Sequence, residues 1–290
     1  MRLRWDWLSP RISAPYIPTL GVVGPGCVSA DLFEAVLDVA DTGRFLPWDK
    51  DQRWSDTKDE RVLPSEIVHD PDRTLIPSLS LRGRGLIKLY CYGPPPALHQ
   101  TAEQAAKLAA TYRAHGGAKL IWCDDHADDA KSRLMLKELS VDDSRNDNQI
   151  TELRHCAAAD TFNSFAEEAD QAGEGGFLFL LQRMRDGHDD GTTLVAVQDG
   201  RIAGAVGPLS TMDDAVRVRH QPPQYFTVLP RYRGRGHGRR LWQASMAWGW
   251  TNGARYKALQ AASGSPAERL YLSEGLRTLG FLHEVTVVSP

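Results

Sequence analysis

The chain has 290 residues, 42% hydrophobic and 24% charged, so a disordered or fibrous protein does not fit and real cores can be buried. A formal net charge of −3 gives no global pull toward nucleic acid or an anionic membrane. No run of about 18 apolar residues could span a bilayer, and charges and prolines break the opening stretch MRLRWDWLSPRISAPYIPTLGVVGPG where a signal peptide would be continuously apolar. A cytoplasmic protein without membrane partners is expected.

In chain order, Ala30 to Thr42 patterns as a helix, Thr74 to Ser80 and Leu86 to Tyr92 as two strands of a hairpin, and Thr101 to His115 as a helix. Leu120 to Cys123 reads as a buried strand and Ala130 to Leu139 as a helix. The polar run Asp142 to Asn148 (DDSRNDN) holds no apolar residue near the midpoint, which predicts a junction between domains 1–145 and 146–290.

Beyond it, Ile150 to Cys156 reads as a strand. Asp160 is placed to cap a helix through Phe162, Phe165 and Ala169, and Phe177 to Met184 patterns as a second helix. Thr192 to Gln198 and Arg201 to Leu209 flank Asp199-Gly200, the strongest hairpin signal in the chain. Gln224 to Leu229 is a strand that runs into a glycine-rich loop and a long helix through Leu241, Ser245 and Trp248. A strand at Lys257 to Ala261, a helix from Pro266 and a strand at Leu282 to Val288 complete the order. Tyr112 to Leu139 parallels Trp250 to Leu276 in its sequence of elements, which reads either as an internal repeat or as two ordinary α/β units.

Cys27, Cys91, Cys123 and Cys156 are scattered, with no Cys-x-x-Cys pair, and read as reduced thiols; Cys91 and Cys123 sit in apolar strand-like runs. His188-Asp189-Asp190 and Asp124-Asp125-His126 have metal-ligand residue types, but a solvated loop and an acidic turn account for them, so no metal is expected.

The most informative stretch is Val228-Leu229-Pro230-Arg231-Tyr232-Arg233-Gly234-Arg235-Gly236-His237-Gly238-Arg239-Arg240. A strand ends at Pro230, glycines permit the positive φ of a tight turn, and a helix begins at about His237. The first N–H groups of a helix have no intrahelical partner and sit at the positive end of its dipole, so a pyrophosphate fits there. Arg233, Arg235 and Arg239 add charge for outer phosphates. No Gly-Lys-Ser/Thr comes next, which excludes a Walker loop, and a loop placed after a hairpin does not fit a dinucleotide fingerprint. Arg82-Gly83-Arg84-Gly85 has similar letters but leads into a strand and reads as a hairpin turn.

The stretch resembles motif A of the GNAT superfamily of acyl-CoA N-acyltransferases, Arg or Gln, two residues, Gly, one residue, then Gly or Ala, with Arg233, Gly236 and Gly238 at those places. The resemblance covers the second half; a degenerate first-half copy would make the chain a tandem GNAT. It implies an α/β fold with a mixed, mostly antiparallel sheet flanked by helices, beside a second α/β domain at the amino terminus. It also implies acetyl-CoA as cosubstrate, held by Arg233, Gly234, Arg235, Gly236, His237, Gly238 and Arg239. In the family two strands splay beside the loop and the pantetheine arm lies between them, which gives Val228 the role of main-chain partner.

Ala267-Glu268-Arg269-Leu270-Tyr271, then Gly280-Phe281, resembles motif B, a helix followed by a Gly-Phe turn, and Tyr271 is by that resemblance the acid that returns a proton to the departing thiolate. A phenol near pKa 10 suits a thiol near 8.5. The run from Tyr271 to Gly280 is longer than the family's, and Gly264 stands where an asparagine is common, with Ser263 or Ser265 as substitutes. The implied activity is acetyl transfer to the amine of a small molecule or peptide in a ternary complex; a noncatalytic coenzyme A-binding module is the alternative. Glu152, His155, His220 and His283 are conceivable bases, none singled out.

Overall fold

The structure is a computed structural model and describes residues 16–71, 73–144 and 149–287. Residues 145–148 of the polar run and Val288 of the expected last strand lie outside the described residues. The chain packs as two compact units. Unit 1 gathers residues up to Leu136, Asp214–Arg217 and those from Ala258 onward; unit 2 gathers Lys137–Asp213 and Val218–Lys257. The final helix and strand, grouped by the sequence with the second half, pack in unit 1.

Unit 1 begins with a short ladder of β1 (Tyr16–Ile17) and β2 (Gly21–Val22), then α1 (Ala30–Asp38). The Ser29 hydroxyl accepts from the Leu32 N–H at 3.2 Å and caps α1. The helix stops short of the expected Thr42 because the Ala40 and Thr42 N–H groups turn back to Leu37 and Val39. β3 (Glu60–Val62) and β4 (Val68–His69) both pair with β5 (Thr74–Ser80), which forms the expected hairpin with β6 (Leu86–Tyr92). Helix α2 (Leu98–Thr111) then crosses to β7 (Ala118–Asp124), parallel to β6 as such a crossover requires.

β8 (Ser132–Glu138) replaces the helix expected over Ala130 to Leu139. Leu, Met, Lys and Glu favour a helix, but Leu134, Met135 and Leu136 are consecutive and all buried, the pattern of an inner strand covered on both faces.

In unit 2, β9 (Ile150–Glu152) ends earlier than expected and gives way to a 3-10 turn. Helices α3 (Phe162–Gln171) and α4 (Gly176–Arg185) come next; α3 starts after a 3-10 turn at Ala159–Thr161 instead of from a cap at Asp160. β10 (Thr192–Gln198) and β11 (Arg201–Leu209) form the expected hairpin, with positive φ at both turn residues (Asp199 52°, Gly200 71°) as a type I′ turn demands. Short β12 (Met212–Asp213) and β13 (Arg219–His220) pair with each other and precede β14 (Tyr225–Val228), α5 (His237–Thr251) and β15 (Tyr256–Ala262). The antiparallel order β14-β11-β10-β9 leaves β14 at an edge.

Leu241 and Ala244 of α5 pack on one face of this sheet against Leu194, Ala196, Val206 and Leu209. Phe162, Phe165 and Phe177 of α3 and α4 form a mutual ring cluster, with centroids 5.2 to 6.3 Å apart. Full burial of a side chain such as Leu241 contributes about 1.5–3 kcal/mol.

The chain returns to unit 1 within β15, at Ala258, and continues with α6 (Pro266–Ser273) and β16 (Arg277–Val287), which pairs antiparallel to both β7 and β8 and lies between them. The Gly280-Phe281 turn expected from the sequence is instead a bulge inside β16, where the register against β8 shifts between Thr278 and Gly280. Gly275 makes the turn: at φ 83° it ends α6, and the Leu276 N–H reaches back to the Tyr271 carbonyl at 3.1 Å.

Candidate functional site

The loop between β14 and α5 is built by its glycines. After a 3-10 turn at Pro230–Tyr232, Gly234 (φ 76°) and Gly236 (φ 84°) take left-handed backbone that other residues rarely adopt. Gly236 is the N-cap of α5 and supplies no capping side chain. The first intrahelical bond is Arg240 N–H to Gly236 C=O at 3.1 Å, so the N–H groups of His237 and Gly238 have no carbonyl one turn back to donate to. A side chain at Gly234 would meet nothing within 4 Å, and one at Gly236 only the Arg240 guanidinium at 3.7 Å, so the loop surface is open to a ligand.

The arginines are already organised. Arg231 pairs with Glu168 at 2.9 Å, and the Arg231 and Arg235 guanidinium groups lie 4.9 and 5.8 Å from the centre of the buried Tyr232 ring. Arg233 donates from Nε to the Val228 carbonyl at 2.9 Å and sits 3.8 Å from Glu174. The His237 ring is buried and turned inward, its Nε2 2.7 Å from Gln198 Oε1, so His237 offers the loop only its main chain. Burial, then the charges of Arg240 and Arg235, lower its pKa and favour the neutral ring.

Val228 presents its backbone by register. Leu229 donates to the Ala203 carbonyl at 3.0 Å directly across the ladder, and Gly204 faces Val228. Hydrogen-bonded and non-hydrogen-bonded pairs alternate in an antiparallel ladder, so Val228 belongs to the second kind and its N–H and C=O point away from β11, toward the sheet edge. Gly204 lets this edge approach the helix: a side chain there would stand 2.9 Å from the Thr227 carbonyl and 3.0 Å from Leu241.

An open helix N-terminus and an outward-facing strand edge thus meet at one loop, and residues 151–275 match the model of the acetyltransferase (GNAT) family. Those residues form a GNAT domain. Among solved structures, a GCN5-related N-acetyltransferase from Sphaerobacter thermophilus is 14% identical over 87% of this chain and 93% of its own, with a TM-score of 0.46. A tandem GNAT protein from the clavulanic acid biosynthesis pathway is 14% identical over 75% of this chain and 79% of its own, at 0.43. A putative GNAT acetyltransferase from Novosphingobium aromaticivorans is 18% identical over 77% and 93%, at 0.40. No curated protein sequence matches the chain.

Residues 151–275 run through both units: the loop Arg233 to Gly238 and Val228 lie in unit 2, and Tyr271 lies in unit 1 on α6, 8% exposed. Ser265 caps α6 by accepting from the Glu268 N–H at 3.1 Å. Glu268 accepts from the Gly264 N–H at 2.6 Å, so Gly264 contributes a main-chain contact where the family often has an asparagine side chain.

The other candidates have local roles. Glu152 stands 2.6 Å from Arg154, His220 stacks on Tyr256 at 5.2 Å, and the buried His283 bonds Asp124 at 2.9 Å beneath Trp122. His155 ends a 3-10 turn. Asp190 holds Arg183 through two 2.6 Å bonds. Among the described residues no group of three or more His, Cys, Asp or Glu is arranged to hold a metal ion, and no helix is long and apolar enough to cross a membrane. Burial pushes the Cys91 and Cys123 thiols up to about 12, so neither is a thiolate nucleophile at neutral pH.

Sequence reasoning missed β13 and the break at Pro222-Pro223 behind β14. The adjacent prolines were the available signal, since neither can donate to a ladder.

Proposed function

We propose that the GNAT domain transfers an acetyl group from acetyl-CoA to the amine of a small molecule or peptide. The observation that carries this is the junction of the bare α5 N-terminus with the outward Val228 backbone. Pyrophosphate would take the N–H groups of His237 and Gly238, while the side chains of Arg233, Arg235 and Arg239 face its outer charge. The pantetheine arm would lie along the β14 edge and hydrogen-bond to Val228.

A neutral amine then attacks the thioester carbonyl. Charge develops on the carbonyl oxygen, where a fixed main-chain donor is worth about 10²–10³ in rate. The C–S bond breaks as the C–N bond forms, the amine gives its proton to water, and the leaving thiolate takes one from the Tyr271 phenol, which solvent then reprotonates. Before the coenzyme enters, Arg233 must release the Val228 carbonyl it holds in this structure.

The test is release of free thiol from acetyl-CoA across a panel of primary amines, combined with mass detection of the acetylated product. Amine-dependent release with a product heavier by one acetyl group supports the reading. Saturable acetyl-CoA binding without turnover on any amine or peptide would favour a noncatalytic module.

A further inference from the structure

The edge of β14 is accessible only because the chain leaves one sheet for another just before it. At His220 the backbone still pairs in parallel with the start of β15: Arg255 N–H donates to Arg219 C=O at 2.8 Å, and Gln221 N–H to Tyr256 C=O at 3.0 Å. One residue later the pairing ends, because Pro222 and Pro223 have no N–H to give. From Tyr225 the chain pairs with β11.

A cluster of side chains stands where the ladder stops, all of it in unit 2. Lys257, 1% exposed, donates from Nζ to the Pro222 carbonyl at 2.9 Å and also to Gln224 Oε1. Gln221 Nε2 donates to Ser245 Oγ at 3.0 Å, and Gln224 Nε2 lies 3.5 Å from the same oxygen. Ser245 and Gln221 are fully buried, and Ser245 belongs to α5, the helix whose first turn is the phosphate loop. Enclosing an ammonium group costs several kcal/mol unless its hydrogen bonds are made. Those made here satisfy backbone and side-chain oxygens at the point where the strands part.

We infer that Lys257 is a positioning residue: with Gln224 and Ser245 it holds the start of β14 apart from the start of β15, and so keeps the Val228 edge open for the pantetheine arm. The inference rests on the coenzyme reading above. Its signature is selective. The phosphate loop is shaped by its own glycines and the start of α5, whereas the gap beside β14 is set by this wedge, so loss of Lys257 weakens binding of pantetheine and not of the nucleotide.

The experiment is calorimetric titration of the full chain and of Lys257→Met with two ligands, coenzyme A and 3′-phospho-ADP, its nucleotide half without pantetheine. Lys257→Met is expected to weaken coenzyme A binding about tenfold, through loss of the opened β14 edge, and to keep 3′-phospho-ADP affinity within about twofold. Unchanged coenzyme A affinity, or an equal loss for both ligands, overturns the inference. If the wild-type chain binds neither ligand, the coenzyme reading itself fails and takes the inference with it. Should Lys257→Met not fold, Gln224→Met, at a half-buried position, is expected to give the same split at smaller size, and an absent split overturns the proposal.

Discussion

Two arginine- and glycine-rich loops in this chain differ in the element each one leads into. In Arg82-Gly83-Arg84-Gly85 the glycines also take positive φ, 61° and 74°, yet the next residue, Leu86, is already paired with Ser80 in the β5–β6 hairpin. Gly85 is committed to packing: its N–H closes the turn to Arg82 at 3.2 Å, and its carbonyl accepts from Gly116 at 2.8 Å. Arg82 is held by Asp59. In the loop ending at Gly236 the next residues open a helix, and the N–H groups that a strand would commit to its partner point outward together. Glycine and arginine content alone does not favour an anion; a helix opening directly after the glycines does.

The largest effect concerns chemistry after binding. Tyr271→Phe is expected to lower kcat about 10²-fold while leaving acetyl-CoA affinity within about twofold, measured by thiol release and calorimetry. Equal turnover, with chemistry shown to be rate-limiting, removes the proposed acid and leaves the loop a binding site only.

Arg233→Ala is expected to weaken acetyl-CoA about tenfold, with a loss that shrinks as salt rises. Arg82→Ala, in the hairpin loop, should leave affinity unchanged at every salt concentration, and a matching loss there would erase the distinction between the loops.

Gly204→Ala forces a methyl group against the Thr227 carbonyl and Leu241 beneath the Val228 edge. About 1–3 kcal/mol of stability should be lost in urea unfolding. Unchanged stability would mean that the contact relaxes freely.

Glu268 gives a smaller, pH-dependent effect. The Arg133 guanidinium, 2.6 Å away, holds its carboxyl below the usual carboxylate range; burial opposes this, and the Gly264 N–H assists it. Because the folded pKa is the lower one, the stabilisation is fully present above the unfolded value of about 4.3 and is lost as pH falls through the folded value. Glu268→Gln should therefore cost about 1–2 kcal/mol at neutral pH and progressively less in acid. A cost independent of pH would assign the effect to packing.

Much of the GNAT domain is legible in the sequence because its signals are local. Asp199-Gly200 fixes a type I′ turn, Pro266 opens one helix, and Gly236 stands directly before another. What the sequence hides is set by distant partners. Ala130 to Leu139 carries helix-forming residues, and pairing with β15 and with β16, from the far end of the chain, makes Ser132–Glu138 a strand. Likewise Gly280 reads as a turn and is a bulge, because β8 lies beside it. The helix-to-strand parallel between Tyr112 to Leu139 and Trp250 to Leu276 holds until its last member, where β8 stands against helix α6. The outward direction of Val228 and the inward turn of His237 depend on ladder register and on Gln198, neither visible in a motif.

The central claim is that the loop opening α5 binds the phosphates of coenzyme A, and paired charge insertion tests it most directly. Acetyl-CoA is titrated into the wild-type chain, Gly236→Glu and Gly83→Glu, with folding of each checked by circular dichroism. Saturable binding that survives Gly83→Glu and disappears in Gly236→Glu is the predicted result, since only the second carboxylate would stand at the helix N-terminus. Binding retained by folded Gly236→Glu would contradict the account.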